Sequence, residues 1–290
     1  MAPRDAAWHD RMYNNRALVP DFADHFAQWK RLSQQTRRQR TCVLDVPYGE
    51  GPNETLDIFP AQRPDAPVVV FIHGGYWRSL DKADHSFVAQ PLLDMGACVV
   101  VVNYALCPGT DSVPVTIPDI ALQCARAMAW VWRHIGAHGG NRDDISVMGH
   151  SAGGHLAAMM LACRWKELGA DLPADLTRRA LSISGLFDLE PVRKTPFVQG
   201  DLRLTPGQVR LASPALCKAP QNRVLYTVVG GDESPEFLRH NRLIRQAWGA
   251  RVVPVCEDLP GLNHFSVVSA LTDPAHRLNH LARELVALPS

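Results

Sequence analysis

The chain has 290 residues and a nearly balanced charge, with 30 Lys and Arg residues against 29 Asp and Glu residues and a formal net charge of +1. This balance argues against a nucleic-acid partner, because binding to a phosphate backbone needs a concentrated basic face. The hydrophobic fraction of 46% predicts a folded protein rather than a disordered chain. No run reaches about 18 apolar residues, so we expect no membrane-spanning helix and no membrane partner.

The first forty residues, 1–40, are polar and compatible with helices. Phe22, Phe26 and Trp29 recur at helical spacing and predict one apolar face. The basic run 30–40 is interpreted as a solvated helix face, with an anion-facing patch as the alternative. The chain does not begin with an apolar signal segment, which favours a cytoplasmic location.

From residue 42 onward, short apolar runs alternate with helical patterns. Runs of β-branched residues bounded by turn residues are typical of strands buried on both faces of a parallel sheet. The predicted strands are 42–48, 55–59, 67–73, 97–103, 144–148, 180–184, 224–229 and 252–256. The predicted helices are 84–95, 118–138, 152–165, 236–248 and 274–287. This order predicts an α/β fold, with a mostly parallel central sheet flanked by helices and with sites at the carboxyl ends of its strands.

No internal repeat or low-complexity linker divides the chain, so we expect one domain over 1–290. The most irregular segment is 186–220, which contains prolines at 191, 196, 206, 214 and 220. We interpret this segment and residues 1–40 as small cap elements over the edge of the sheet.

The segment Gly149-His150-Ser151-Ala152-Gly153 matches the G-x-S-x-G motif. It follows the predicted strand 144–148 and precedes the predicted helix 152–165, which is the context that a nucleophile elbow requires. Glycines on both sides of the serine remove the Cβ clashes of so sharp a turn. We therefore expect Ser151 to be a nucleophile, with the N–H of Ala152 at the helix start available to a developing oxyanion.

A second motif, His73-Gly74-Gly75-Tyr76-Trp77, directly follows the predicted strand 67–73. Two glycines at a strand end allow backbone N–H groups to approach an oxyanion closely, so this loop is expected to supply the rest of the oxyanion hole. His73 is interpreted as a structural hydrogen-bonding residue. It precedes the nucleophile, whereas the base follows the nucleophile in proteins with this elbow.

The expected base is His264, which lies in a loop after the late strand 252–256 and the turn Pro260-Gly261. The other late histidines, His240, His276 and His280, fall within helical patterns. A loop position beyond the last strands is where the histidine of such a triad is expected.

The expected acid lies in the turn after the predicted strand 224–229. Asp232 and Glu233 both occupy this turn, just before a helix that begins with Ser234 as N-cap and Pro235 as first residue. Either carboxylate could orient the histidine and stabilise its imidazolium. Asp188 follows the predicted strand 180–184, one strand earlier than the strand after which the acid is expected. We interpret it as a helix cap or as a contact of the cap segment.

Together, these motifs resemble the kynurenine formamidase (arylformamidase) family, in the hormone-sensitive-lipase-like branch of the α/β-hydrolases. The family pattern HGGxW is matched in full by His73, Gly74, Gly75 and Trp77. Segments 103–108, 149–155 and 234–237 also match, and the resemblance extends loosely through 13–16 and 19–21. It covers the chain from about Tyr13 to the C-terminus.

The resemblance implies hydrolysis of N-formyl-L-kynurenine to L-kynurenine and formate in tryptophan breakdown, with no metal and no other cofactor. It implies Ser151 as nucleophile and His264 as general base. It also implies an oxyanion hole formed by the N–H groups of Gly75, Tyr76 and Ala152.

The resemblance also bears on the acid, which in the family directly precedes Ser-Pro-Glu-Phe. Alignment on 234–237 and on Arg239 places Glu233 in this position, although the next residue, usually Gln, is His240 here. Alignment from the preceding strand places Asp232 there instead. Insertions occur more readily in surface loops than between a catalytic turn and its helix. We therefore favour Glu233 and keep Asp232 open.

Two other functions are compatible with these motifs. A carboxylesterase acting on short-chain or aryl esters would use the same groups, and an inactive hydrolase scaffold could serve as a binding module. The aromatic residues expected at an aryl pocket are Tyr76, Trp77, Phe187 and Phe265, with core packing as the alternative. The expected partner is a small-molecule substrate, and a homodimer stays open. The seven cysteines form no CxxC pair, which favours reduced thiols over a disulfide framework or a zinc site.

Overall fold

The computed structural model describes residues 4–287 and is built around one eight-stranded sheet. The strands are β1 (Val43–Pro47), β2 (Thr55–Phe59), β3 (Ala66–Ile72), β4 (Cys98–Val102), β5 (Gly140–His150), β6 (Arg179–Ile183), β7 (Val224–Gly230) and β8 (Val255–Leu259). Their spatial order is β1-β2-β4-β3-β5-β6-β7-β8. β2 pairs antiparallel with β1 and β4, and the pairs from β4 to β8 are parallel. The parallel strands therefore end at one common edge.

The helices flank this sheet and connect its strands. They are α1 (Ala6–Tyr13), α2 (Asn15–Leu18), α3 (Phe22–Gln39), α4 (Ala89–Asp94), α5 (Ile117–His134), α6 (Ala152–Ala162), α7 (Trp165–Leu168), α8 (Glu190–Arg193), α9 (Pro196–Leu202), α10 (Pro206–Ala212), α11 (Pro235–Trp248), α12 (Ser266–Ser269) and α13 (Arg277–Ala287). No helix in the described part of the chain is both long and apolar enough to cross a membrane.

The sheet is buried on both faces because its central strands are apolar at consecutive positions. In β3, Val68 and Val70 pack into the core layer that contains residues of α5, α6 and α11. Val69 and Phe71 point to the opposite layer, formed with Trp29 of α3, α4 and α13. This two-sided burial is the reason that β3 and β4 read as continuous apolar runs. The predicted α/β fold with a mostly parallel sheet is confirmed.

Two predicted elements lie elsewhere than expected. The last strand is β8 and not 252–256. Pro254 has no N–H to donate to the ladder, and pairing with β7 begins at Val255. The predicted helix 84–95 is two short 3₁₀ turns followed by α4, because Pro91 fits only in the first turn of a helix.

Candidate active site

Ser151 lies in a strained turn between β5 and α6. Its backbone has φ +57° and ψ −116°, a left-handed region that non-glycine residues rarely adopt. The turn fits only because glycines surround it. A Cβ on Gly153 would lie 1.9 Å from the carbonyl oxygen of Ile72, and one on Gly149 would lie 2.2 Å from the carbonyl oxygen of Gly153. The sharp turn places the Ser151 side chain at the carboxyl edge of the sheet.

A chain of hydrogen bonds runs from this serine to a buried carboxylate. The Ser151 hydroxyl donates to His264 Nε2 at 3.0 Å, and His264 Nδ1 donates to Glu233 Oε2 at 2.6 Å. The serine and the histidine are 2% and 4% exposed, and the Glu233 side chain is fully buried. The arrangement holds the histidine with one ring nitrogen on an acid and the other on a hydroxyl, which is the geometry of a general base.

The carboxylate at His264 belongs to Glu233 and not to its neighbour. Its second oxygen, Oε1, accepts from the Ser184 hydroxyl and from the N–H of Gly230, the latter at 2.8 Å. Asp232 is exposed, and its side chain makes no hydrogen bond within the described residues. Asp188 lies in a separate turn, where it accepts from the N–H of Glu190 at 3.0 Å. Ser184 was not predicted as a site residue from the sequence. The feature that could have indicated it is a hydroxyl residue directly after β6, at the carboxyl edge of the sheet.

The His73–Trp77 loop is folded tightly against Ser151. A Cβ on Gly74 would lie 2.9 Å from the carbonyl oxygen of His150 and 3.1 Å from Ser151 Cβ. Gly75 and Tyr76 have φ values of +106° and +50°. Within residues 4–287, neither of their N–H groups has an acceptor, and the N–H of Ala152 is likewise free at the start of α6. These three N–H groups therefore have no partner within the described residues, and Gly75, Tyr76 and Ser151 line the same cleft.

The flanking residues of this loop are buried supports. The pKa of His73 is lowered by burial, and its ring stacks on Tyr104 with 4.2 Å between ring centroids. His73 Nδ1 donates to the carbonyl oxygen of Gly74 at 2.8 Å, and Nε2 lies 3.1 Å from Asn103 Oδ1. Trp77 is buried with its ring edge against His155 at 5.0 Å. His73 and Trp77 therefore support the loop from the protein interior.

His150, inside the serine motif, supports the base from the opposite side. Its Nε2 donates to the carbonyl oxygen of His264 at 2.8 Å, and the two rings lie 4.9 Å apart. Burial, with repulsion from the neighbouring histidine, holds the pKa of His150 well below its ordinary value. The ring is thus neutral and acts as a hydrogen-bonding support for the loop that carries the base.

Ser151 lines a cleft with a cavity volume of about 30 Å³. Of the aromatic residues expected at a pocket, Tyr76 and Phe265 line it, whereas Trp77 and Phe187 pack in the core. Further lining residues come from the N-terminal segment and from α9: Asn15, Arg16, Phe26, Trp29 and Phe197. No cluster of three or more His, Cys, Asp or Glu residues arranged for a metal occurs within residues 4–287.

The chain is similar to several known proteins. The family model BD-FAE matches residues 56–184. The kynurenine formamidase of Danio rerio is 30% identical over 90% of this chain and 88% of its own length. That of Salmo salar is 30% identical over 96% of this chain and 92% of its own length. A solved structure of a candidate thioesterase from Silicibacter sp. TM1040 has a TM-score of 0.82 at 28% identity, covering 96% of this chain and 98% of that one.

These similarities extend over nearly the whole chain, and the solved structure shares its sheet and flanking helices. The family predicted from the sequence motifs is confirmed. The protein is a hydrolase of the α/β-hydrolase esterase type, and its chain belongs to the kynurenine formamidase family.

Proposed function

We propose that this protein is a serine hydrolase that cleaves N-formyl-L-kynurenine to L-kynurenine and formate. The observation that carries the proposal is the hydrogen-bonded chain from Ser151 through His264 to Glu233. Membership of the kynurenine formamidase family supports the substrate. The aromatic lining of the cleft suits an aryl ring.

In the first step, Ser151 Oγ attacks the formyl carbon while His264 Nε2 takes the hydroxyl proton. The buried Glu233 carboxylate keeps the histidine proton on Nδ1 before the step, and it stabilises the imidazolium that the step creates. Because Nε2 already accepts the serine hydroxyl hydrogen bond, the proton moves along an existing contact. The reaction therefore needs no rearrangement of the base.

The tetrahedral intermediate places a negative charge on the former formyl oxygen. We assign its stabilisation to the N–H groups of Gly75, Tyr76 and Ala152, which have no acceptor among the described residues. One such donor typically contributes about 3 kcal/mol to the transition state. The left-handed backbone at Gly75 and Tyr76 is consistent with a loop shaped for this purpose.

Collapse of the intermediate breaks the bond between the formyl carbon and the aniline nitrogen. The His264 imidazolium gives its proton to that nitrogen, and L-kynurenine leaves while the formyl group stays on Ser151. An aryl amine is a better leaving group than an alkyl amine, and a formyl group needs little acyl space. Water, deprotonated by His264, then attacks the formyl ester, and formate is released with Ser151 regenerated.

The decisive experiment compares kcat/KM for N-formyl-L-kynurenine with kcat/KM for p-nitrophenyl acetate. We expect the formamide to be preferred, and Ser151→Ala to lower both rates by about 10⁴-fold or more. A preference for the ester by about a thousandfold would replace the formamidase by the second candidate, a carboxylesterase. Hydrolysis unchanged in Ser151→Ala would contradict the assignment of Ser151 as nucleophile, whereas hydrolysis of neither substrate by the wild-type protein would favour an inactive scaffold.

The cysteines support a proposal about location. All seven are free thiols in the structure, and thiols persist in a reducing compartment. We therefore propose a cytoplasmic protein. When the source cells are fractionated, we expect to recover the activity in the cytosolic fraction.

A further inference from the structure

The N-terminal segment is fastened to loops beside the nucleophile. The Ser234 hydroxyl donates to the carbonyl oxygen of Met12 at 2.6 Å. The Tyr76 hydroxyl donates to the carbonyl oxygen of Tyr13, also at 2.6 Å. These contacts hold the start of α2 at the mouth of the cleft, where Arg16 reaches its lining.

Arg16 is a half-buried cation without a carboxylate partner in the described part of the chain. Its Nη2 donates to the Ser79 hydroxyl at 3.3 Å. Its guanidinium lies over the rings of Phe22 and Phe26, 5.7 and 5.6 Å from their centroids. A neutral hydroxyl and two aromatic faces leave most of its N–H donors available, since a guanidinium carries five.

A second guanidinium faces the same cleft. Arg78 also lines it, but this side chain is paired with Asp201. Burial and repulsion from Arg78 lower the pKa of Arg16, yet a guanidinium stays charged near neutral pH. No Asp or Glu is among the described residues that line the cleft. The lining therefore contains one guanidinium that a carboxylate on a ligand could pair with, that of Arg16.

Asn15 gives an independent indication of a ligand. It is 3% exposed and lines the cleft beside Arg16. Its Nδ2 is buried and has no hydrogen-bond partner within residues 4–287. A buried donor without an acceptor is unfavourable, so such groups in folded proteins usually have a partner supplied from elsewhere. Asn15 also lines a neighbouring pocket beside Asp232 and Pro235, and an acceptor on a ligand in the active cleft would supply the missing partner.

We propose that Arg16 and Asn15 form a carboxylate subsite of the active cleft, which selects aryl formamides that carry a carboxylate over those that lack one. The inference rests on the proposed function for the reacting group, and it adds which part of the substrate is recognised. N-formyl-L-kynurenine carries its carboxylate on the side chain remote from the formamide. A guanidinium fork matches a carboxylate in geometry as well as in charge.

The test uses two substrates that differ only in this group, N-formyl-L-kynurenine and its decarboxylated analogue N-formylkynuramine. We expect the wild-type protein to prefer the carboxylate by about 10- to 100-fold in kcat/KM, as expected for a charge-assisted hydrogen bond. Arg16→Met should reduce this preference to about threefold or less, mainly by raising KM for the substrate that carries the carboxylate. Arg16→Lys should keep part of the preference, because it keeps the charge but not the fork.

A matched control separates this subsite from general electrostatic attraction. Arg31→Met removes one positive charge from the exposed part of α3 and should leave the preference unchanged. Asn15→Asp, a second variant at the subsite, should lower the preference by placing a carboxylate beside the bound one. Equal losses on both substrates in Arg16→Met, at unchanged melting temperature, would overturn the proposal, as would an unchanged preference.

Failure of the proposed function would be recognised separately. If the wild-type protein hydrolysed neither formamide, the proposed function would be wrong. The subsite would then be tested with phenyl acetate and 3-(4-acetoxyphenyl)propanoate, which differ by a carboxylate-bearing chain on the leaving group. A preference for the anionic ester that Arg16→Met abolishes would support the subsite, and its absence would overturn it.

Discussion

The substitution Glu233→Gln tests the proposed acid with little change in shape. Both oxygens of the buried carboxylate accept hydrogen bonds, Oε2 from His264 Nδ1 and Oε1 from Ser184 and the N–H of Gly230. A glutamine offers only one acceptor oxygen. If that oxygen faces Ser184 and Gly230, its NH₂ group faces His264 and favours the tautomer with the proton on Nε2. That tautomer cannot accept the proton of Ser151.

Because Glu233→Gln favours this inactive tautomer, we expect kcat to fall by about 10³- to 10⁴-fold. This corresponds to a loss of about 4 to 5.5 kcal/mol of transition-state stabilisation. KM should change little, because Glu233 lies behind the histidine and does not line the cleft. The assay is the initial rate of L-kynurenine formation from N-formyl-L-kynurenine, with circular dichroism to check the fold and the melting temperature.

The matched control is Asp232→Asn, one residue earlier. Asp232 is exposed and makes no side-chain hydrogen bond among residues 4–287, so we expect kcat within about threefold of wild type. A larger loss for Asp232→Asn than for Glu233→Gln would refute the assignment of the acid. A loss below tenfold for Glu233→Gln in a folded protein would do the same.

Three further predictions concern the surroundings of the site. Ser184→Ala removes one hydrogen-bond donor from the Glu233 carboxylate. In the same assay we expect kcat to fall about tenfold at nearly constant KM. A change confined to KM would contradict a role of Ser184 in orienting Glu233. Gly153→Ala places a Cβ 1.9 Å from the carbonyl oxygen of Ile72 and should lower the free energy of unfolding by more than about 3 kcal/mol in urea titrations. Gly200→Ala, in an open position of α9, should instead raise the free energy of unfolding by about 0.5 to 1 kcal/mol. An equal change in the free energy of unfolding for both glycine variants would exclude the steric explanation for Gly153→Ala. Burial lowers the pKa of His85 to about 3 and that of His155 to about 4. Because the unfolded chain protonates these histidines near pH 6.5 and the folded protein does not, stability should fall as pH decreases from 6.5 towards 4, by about 2 kcal/mol for each by pH 5. His155→Gln should reduce the loss of unfolding free energy between pH 7.5 and pH 5 by that amount, and an unchanged loss would show that His155 does not contribute to it.

The fold was predictable because its signals are local. The apolar runs that became β3 and β4 are buried on both faces, and this composition is visible without knowing the neighbours. The errors at the last strand and at the helix before β4 also have local causes, Pro254 and Pro91. These prolines shift where an element begins without changing its type.

The site was predictable only in part. Ser151 and His264 stand in recognisable positions, one in a strand–turn–helix motif and the other in a loop beyond the last strands. Asp232 and Glu233 are adjacent, and chain order alone does not show which of them faces the histidine. The packing of the turn shows it: a Cβ on Gly230 would lie 2.3 Å from the carbonyl oxygen of Leu262, so the acid turn lies against the loop that carries the base.

The sequence by itself determined the sheet, the family and the positions where the nucleophile, the base and one of two acids were expected. Only the tertiary structure decided which carboxylate reaches His264. It also showed that Ser184 and His150 support this constellation, and that Asn15 and Arg16 line the cleft. The physical reason is the distance along the chain. Strand burial and helix starts depend on neighbouring residues, whereas hydrogen bonds between residues 31 to 114 positions apart leave no local pattern.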